Sequence, residues 1–372
     1  MIAPKKLRSS NIELYRIVVM LFIVMHHMVA NSGVLDVMDV QPTATHSIVL
    51  YLVGMWGKTG INCFVLITGW FMCKSHITAH KFFKLLLWIM FYNLAIALIF
   101  RLTGYAAYSI KGIIAATMPV KSITYDFIGC YLLFYLFIPF LNKMIDNLNG
   151  KEHALLVILC LFTYSLLPTL HVRITFNYVT WFCILYLIAS YLRLHPIPQQ
   201  KNLKLWAWTT IFLVLLASVS VIALIYFNVH RGVDTSIVRI YQLVHDSNKL
   251  FAVLIAVSSF LMVINIKMQH SHIINTISAS VFGVLLIHAN SDWMRQWLWK
   301  DVCDMSGHYD SPNFYAYIIT VPIAILAACI LIDHVRLALL EKPTLRIADN
   351  IYLDVRAKVK QYYRELFQNE YK

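Results

Sequence analysis

Asn11–Asn31 reads NIELYRIVVMLFIVMHHMVAN. A run of about 20 mostly apolar residues is what a bilayer-crossing helix requires, yet this one carries Glu13, Arg16, His26 and His27. Ionisable groups in lipid cost roughly 2.5–3.5 kcal/mol each on insertion scales, so they usually face a protein interior or a wet cavity and mark function. Helix geometry then sorts them. Arg16 and His27 are 11 residues apart, which returns to within about 20° of the same face after a rise of roughly 16 Å. Glu13 lies three residues before Arg16 and can pair with it on that face. His26 points about 80° away. The face therefore reads as a carboxylate and a guanidinium near one membrane surface and an imidazole near the other.

The rest of the 372-residue chain has the same character. With 60% hydrophobic and 13% charged residues and a mean hydropathy of +0.68, it is an all-α, polytopic membrane protein rather than a soluble globule. The net charge of +13 does not signal nucleic acid, because the basic residues are scattered through short loops between apolar runs. Seven cysteines show no ligand-like spacing and are expected to remain thiols. The start, MIAPKKLRSS, has the charge of a signal-peptide n-region. The apolar stretch behind it is long, charged and without a small-residue cleavage site, so it is expected to stay as an anchor.

Ten runs have helix-spanning length, at about 11–31, 47–73, 82–101, 126–142, 152–170, 178–194, 205–228, 248–266, 274–291 and 313–334. Between the third and fourth, Gly104–Tyr125 is less apolar and is expected in the membrane interface. Placing the N-terminus inside puts 20 Lys and Arg in inside segments and 9 in outside segments, so both termini are expected to be cytoplasmic. Residues 1–340 then form the transmembrane domain and 341–372 a short charged cytoplasmic tail, read as a charged or amphipathic helix.

Two further runs carry polar groups. The second, SIVLYLVGMWGKTGINCFVLITGWFMCK, holds Lys58 and glycines at positions 54, 57, 60 and 69. For Gly54 and Gly57, close helix packing is the favoured reading. Lys58 is either a functional intramembrane cation or, with a helix break near Gly57–Gly60, an interfacial lysine that snorkels to water. The ninth run ends on His288, at the depth of His27 under this topology, so the two rings could line one cavity. His76 and His80, like His270 and His272, have spacing without the supporting ligands of a metal site. No metal is expected.

The ordered set of segments resembles the acyltransferase 3 family of integral membrane acyltransferases. ELYRIVVMLFIVMHH is similar to that family's opening, an Arg and a His separated by ten residues, here Arg16 and His27. GKTGINCFVLITGWFM resembles its Gly-rich second helix, YLLFYLFIPFLN its fourth, VFGVLLIH its ninth and LIDHVR its last. Leu285 stands where the family usually has Tyr, and Tyr125-Asp126-Phe127 where it commonly has a Trp-aromatic pair. HKFFKL offers Lys81 and Lys84 where many relatives cluster arginines.

The resemblance implies a bacterial plasma-membrane enzyme that transfers an acyl group, usually acetyl from acetyl-CoA, to a hydroxyl of a cell-surface polysaccharide or other glycan. It implies His27 as general base or transient acyl carrier. Glu13 and Arg16 form the inner pair, with Arg16 contacting the donor or holding the helix face in register. His288, Lys58, His26 and Asn62 are then expected on the acceptor side. Lys74, Lys81 and Lys84 would attract the CoA phosphates as point charges, although membrane orientation alone also accounts for them. The competing class is a secondary transporter or glycan flippase, since intramembrane charges and glycine-interrupted spans suit alternating access. Against it, the Glu-x-x-Arg…His pattern is not duplicated in the second half. A third class is a non-catalytic receptor or scaffold whose polar residues only glue helices together.

Overall fold

The computed structural model describes residues 8–75, 77–107, 109–118 and 127–368. His76 of the His76/His80 pair and Tyr125-Asp126 lie outside them. The described chain is helical without a strand, with 79% of the protein in helix. The quoted stretch is one uninterrupted helix, α1 (Ser10–Asn31). A short α2 (Val34–Val40) leads to α3 (Thr45–Gly54) and α4 (Gly57–Met72), which divide the second apolar run at Met55 and Trp56. Then come α5 (Ala79–Leu102) and the short α6 (Ile110–Thr117), the latter inside the stretch expected at the interface. α7 (Phe127–Asp146) follows. α8 (Gly150–Leu161) opens on a reciprocal cap between Asn149 and Glu152 and passes through a π-helical turn into α9 (Leu167–Thr169).

The second half contains α10 (Tyr178–Leu194), α11 (Leu203–Arg231), α12 (Ile237–Ile240) and α13 (Leu250–Asn265). Next are α14 (His272–Ala279), α15 (Val281–His288) and α16 (Asp292–Arg295), which continues as a π-helical segment to Val302. α17 (Phe314–Gln368) completes the chain. Among the described residues seven helices are long and apolar enough to cross a membrane, or eight if the pair His272–His288 and Asp292–Val302, bent by 96°, counts as one span. α10 and α13 are apolar but shorter. All ten runs read from the sequence are thus helices or helix pairs.

α1 sits at the centre, packed on α3, α4, α13, α14, α15 and α17. The outer faces of α8 and α11 expose Leu155, Ile158, Phe212, Leu215 and Val219. Apolar area of that extent suits a bilayer and not water. The protein is a multi-pass membrane protein. No disulfide links its seven cysteines, all of them among the described residues.

Glycine sets how closely α4 meets α1. A Cβ on Gly57 would fall 2.3 Å from the His26 ring, and one on Gly60 2.7 Å from Ile23, so the packing reading holds for Gly57 and extends to Gly60. The α3–α4 break frees the Gly54 carbonyl, and His26 Nδ1 meets it at 2.6 Å, satisfying an end group that would otherwise be orphaned.

On the far side of the bundle, α17 carries a buried pair. Arg336 Nε donates to Asp333 Oδ1 at 2.8 Å, and Tyr92 of α5 donates to the same oxygen at 2.7 Å. The Arg336 guanidinium lies 4.4 Å over Trp88. α17 runs without interruption past Glu341 into the charged C-terminal segment, where Glu341 pairs with Lys84 and Asp349 with His80.

Candidate functional site

The side of α1 that presents Met20, Ile23 and His27 forms one wall of a cavity of about 750 Å³. α4, α5, α7 and α15 supply other walls, with Lys58, Asn93, Tyr131 and Phe282 among the lining. Its depth follows from α4. Lys58 lies near the His26 and His27 level, while Thr68, ten residues on, lies roughly 15 Å along the axis. There the Thr68 and Tyr131 hydroxyls meet at 3.1 Å. At the His27 end the chain bends after His288, and Ser291, Asp292, Trp293 and Arg295 line the cavity from α16 and its approach.

His27 lines this space, and His288 stands directly behind it. His27 Nδ1 is 3.0 Å from His288 Nε2, and His288 Nδ1 is 2.6 Å from the Val284 carbonyl oxygen. A carbonyl only accepts, so His288 Nδ1 carries the hydrogen. In a neutral ring its Nε2 is then an acceptor, which takes the hydrogen of His27 Nδ1. His27 Nε2 is left with its lone pair and no protein partner among the described residues. Trp299, edge-on to His288 at 6.1 Å between ring centroids, closes the back of the pair. His288 itself is fully buried.

The remaining expected residues divide clearly. His26 and Lys58 line the cavity with His27. Lys58 Nζ donates to Tyr178 OH at 2.8 Å, on a wall of the cavity rather than at a lipid-facing edge. Asn62 does not line it. Its amide donates to the Ser247 carbonyl at 2.6 Å and accepts from Trp181 Nε1 at 2.9 Å, which uses both of its ends in packing. Glu13 and Arg16 sit at the opposite end of α1, beyond Met20. Their side chains pair at 3.3 Å, Ser278 donates to Glu13 at 2.5 Å, and the guanidinium lies 5.9 Å from the Phe71 ring centroid. Lys74, Lys81 and Lys84 are outside the cavity, Lys84 being held by Glu341.

Arg101, Asp292, Trp293 and Arg295 also line the cavity but were not singled out in the sequence. Arg101 and Arg295 enter the sequence reading only as outside charges that orient the chain, and Asp292 and Trp293 carry no signal there. Among the described residues no group of three His, Cys, Asp or Glu side chains could hold a metal ion.

Fold and site together define a multi-pass membrane protein whose helices enclose a cavity with a hydrogen-bonded pair of imidazoles at its wall. The sequence profile of the acyltransferase 3 family, described as an acyltransferase domain, matches residues 9–333. The chain belongs to that family. Comparison with curated proteins and with solved structures returns no match.

Proposed function

We propose that this protein is a membrane O-acyltransferase that moves an acyl group, acetyl in the simplest case, from cytoplasmic acyl-CoA to a hydroxyl of a cell-surface glycan. One observation carries the reading: a histidine on the cavity wall whose Nδ1 is committed to His288 and whose Nε2 faces no protein partner. An alcohol is a poor nucleophile until a base removes its proton, and a well-placed base contributes roughly 10²- to 10⁴-fold. In this reading His27 Nε2 takes the hydroxyl proton as the oxygen attacks the acyl carbonyl. The carbon–sulfur bond breaks, and the proton held on Nε2 passes to the departing sulfur. His288 keeps the His27 ring in the tautomer that can do this.

The ten helical runs are taken as ten crossings with both termini cytoplasmic, in a bacterial plasma membrane. The Arg16 end of α1 then faces the donor and the His27 end the acceptor. Residues 1–340 act as the catalytic domain, with 341–372 as its cytoplasmic tail. Glu13 and Arg16 form the donor-side pair, and Lys58 and His26 contact the acceptor. Of the three lysines, Lys74 and Lys81 remain candidates for the CoA phosphates.

The test is thiol release from acetyl-CoA by purified protein offered surface glycan. His27→Ala should abolish it while the amount of protein in the membrane stays constant. Acetylation retained by that variant would end the assignment. Mass analysis of surface glycans from cells with and without the protein identifies the acceptor.

A further inference from the structure

Among the described residues, the charges on the cavity wall do not cancel. Lys58, Arg101, Asp292 and Arg295 line it. Asp292 is taken by Arg295 at 2.5 Å, which leaves Lys58 and Arg101. Lys58 has only the neutral phenol of Tyr178, at 2.8 Å and again beneath it as a ring. Asp246, the carboxylate whose field Lys58 reaches, pairs with His245 at 3.3 Å and does not line the cavity. Arg101 donates from Nη1 to its own helix, to the Ala97 carbonyl at 3.0 Å, and its Nε is buried with no hydrogen-bond partner. α6 comes down on it so closely that a Cβ on Gly112 would lie 2.9 Å from Nη2. The guanidinium is therefore held against the cavity instead of reaching past the helix end to water.

Among the described residues no carboxylate lies between these two cations on the cavity wall, an arrangement that favours an anion brought from outside. We infer that the acceptor is acidic, a glycan bearing a carboxylate or phosphate that engages Lys58 and Arg101 while its hydroxyl is presented to His27. This rests on the acyl-transfer reading above, but its test does not. The same chemistry also occurs in the CoA phosphates, and the experiment separates the two sources.

Full-length protein in detergent is titrated, with tryptophan fluorescence as readout, with a glucuronate-containing oligosaccharide, with its neutral glucose counterpart of equal length, and with CoA alone. The acidic oligosaccharide is expected to bind at least tenfold more tightly than the neutral one, about 1.4 kcal/mol, and added salt should narrow the gap. Lys58→Gln and Arg101→Gln should each reduce the preference. Lys58→Arg and Arg101→Lys should keep it, which distinguishes lost charge from lost fold. Equal affinity for the two oligosaccharides, or an unchanged preference in both glutamine variants, overturns the inference. Displacement of the acidic oligosaccharide by CoA overturns it too, because the cations then belong to the donor. His27→Ala leaves this binding difference in place, so failure of the catalytic assignment is read separately.

Discussion

Two imidazoles in series do something that one alone does not. The Val284 carbonyl fixes the proton on His288, and His288 in turn fixes it on His27, so a backbone oxygen determines which nitrogen meets the cavity. Replacing His288 with Ala frees the His27 ring to turn and to protonate on either nitrogen. The expected result is a fall in kcat of roughly 10²-fold with KM little changed. His288→Gln, whose amide oxygen can accept the same hydrogen bond, should recover part of that loss. Steady-state kinetics on the pair checks this, and an unaltered kcat in His288→Ala would remove His288 from the mechanism. At this scale the sequence put His27 on the face of α1 that lines the cavity and said less about its neighbours. It placed His288 at the same depth but not behind the first ring. It grouped Asn62 with the acceptor contacts, although its amide is spent on Trp181 and Ser247, partners too distant along the chain for any local pattern to reveal.

Among the elements, hydropathy located the ten long helical runs but not their breaks, and glycine alone pointed to one, near Gly57–Gly60, which falls at Met55–Trp56. The interruption at Met55–Trp56 and the 96° turn after His288 are changes in backbone hydrogen bonding, and apolar side chains on both sides of a break conceal them from a hydropathy window. Close approach was legible only as glycine. Gly57→Ala sets a methyl group 2.3 Å from the His26 ring and should cost about 1–3 kcal/mol as α4 is pushed off α1. Thermal unfolding in detergent measures it, and an unfolding midpoint unchanged from the parent protein would refute the clash. On α17, Asp333→Ala removes the nearer carboxylate of the buried Arg336 guanidinium and leaves it Glu341 at 3.3 Å, so it should destabilise by less than the roughly 3–5 kcal/mol of a buried charge left wholly unpaired. The double replacement Asp333→Leu/Arg336→Leu should cost less than the single one, because it removes both charges together. A double variant less stable than Asp333→Ala would refute that account.

For the whole molecule, the basic residues make a directional statement. With 20 Lys and Arg in one set of segments and 9 in the other, cysteines introduced at Lys204 and Lys267 should react with an impermeant thiol reagent only after the cytoplasmic side is opened. Cysteines at Arg231 and Lys300 should react in intact cells. The opposite labelling pattern would invert the donor and acceptor ends of the cavity. The sequence yields this expectation because charge density is read without coordinates. It could not show that Arg101, counted as one more outside charge, turns back onto the cavity wall.

The wedge of His26 against Gly57 has a practical corollary for genetics. One ring borders the cavity, ties off the broken helix at Gly54 and sets the spacing of two neighbouring helices. A saturation screen scored on product alone would flag this neighbourhood as indispensable whether chemistry or assembly had failed. Counting molecules that reach the membrane, in parallel with product, is what would separate a dead enzyme from an absent one.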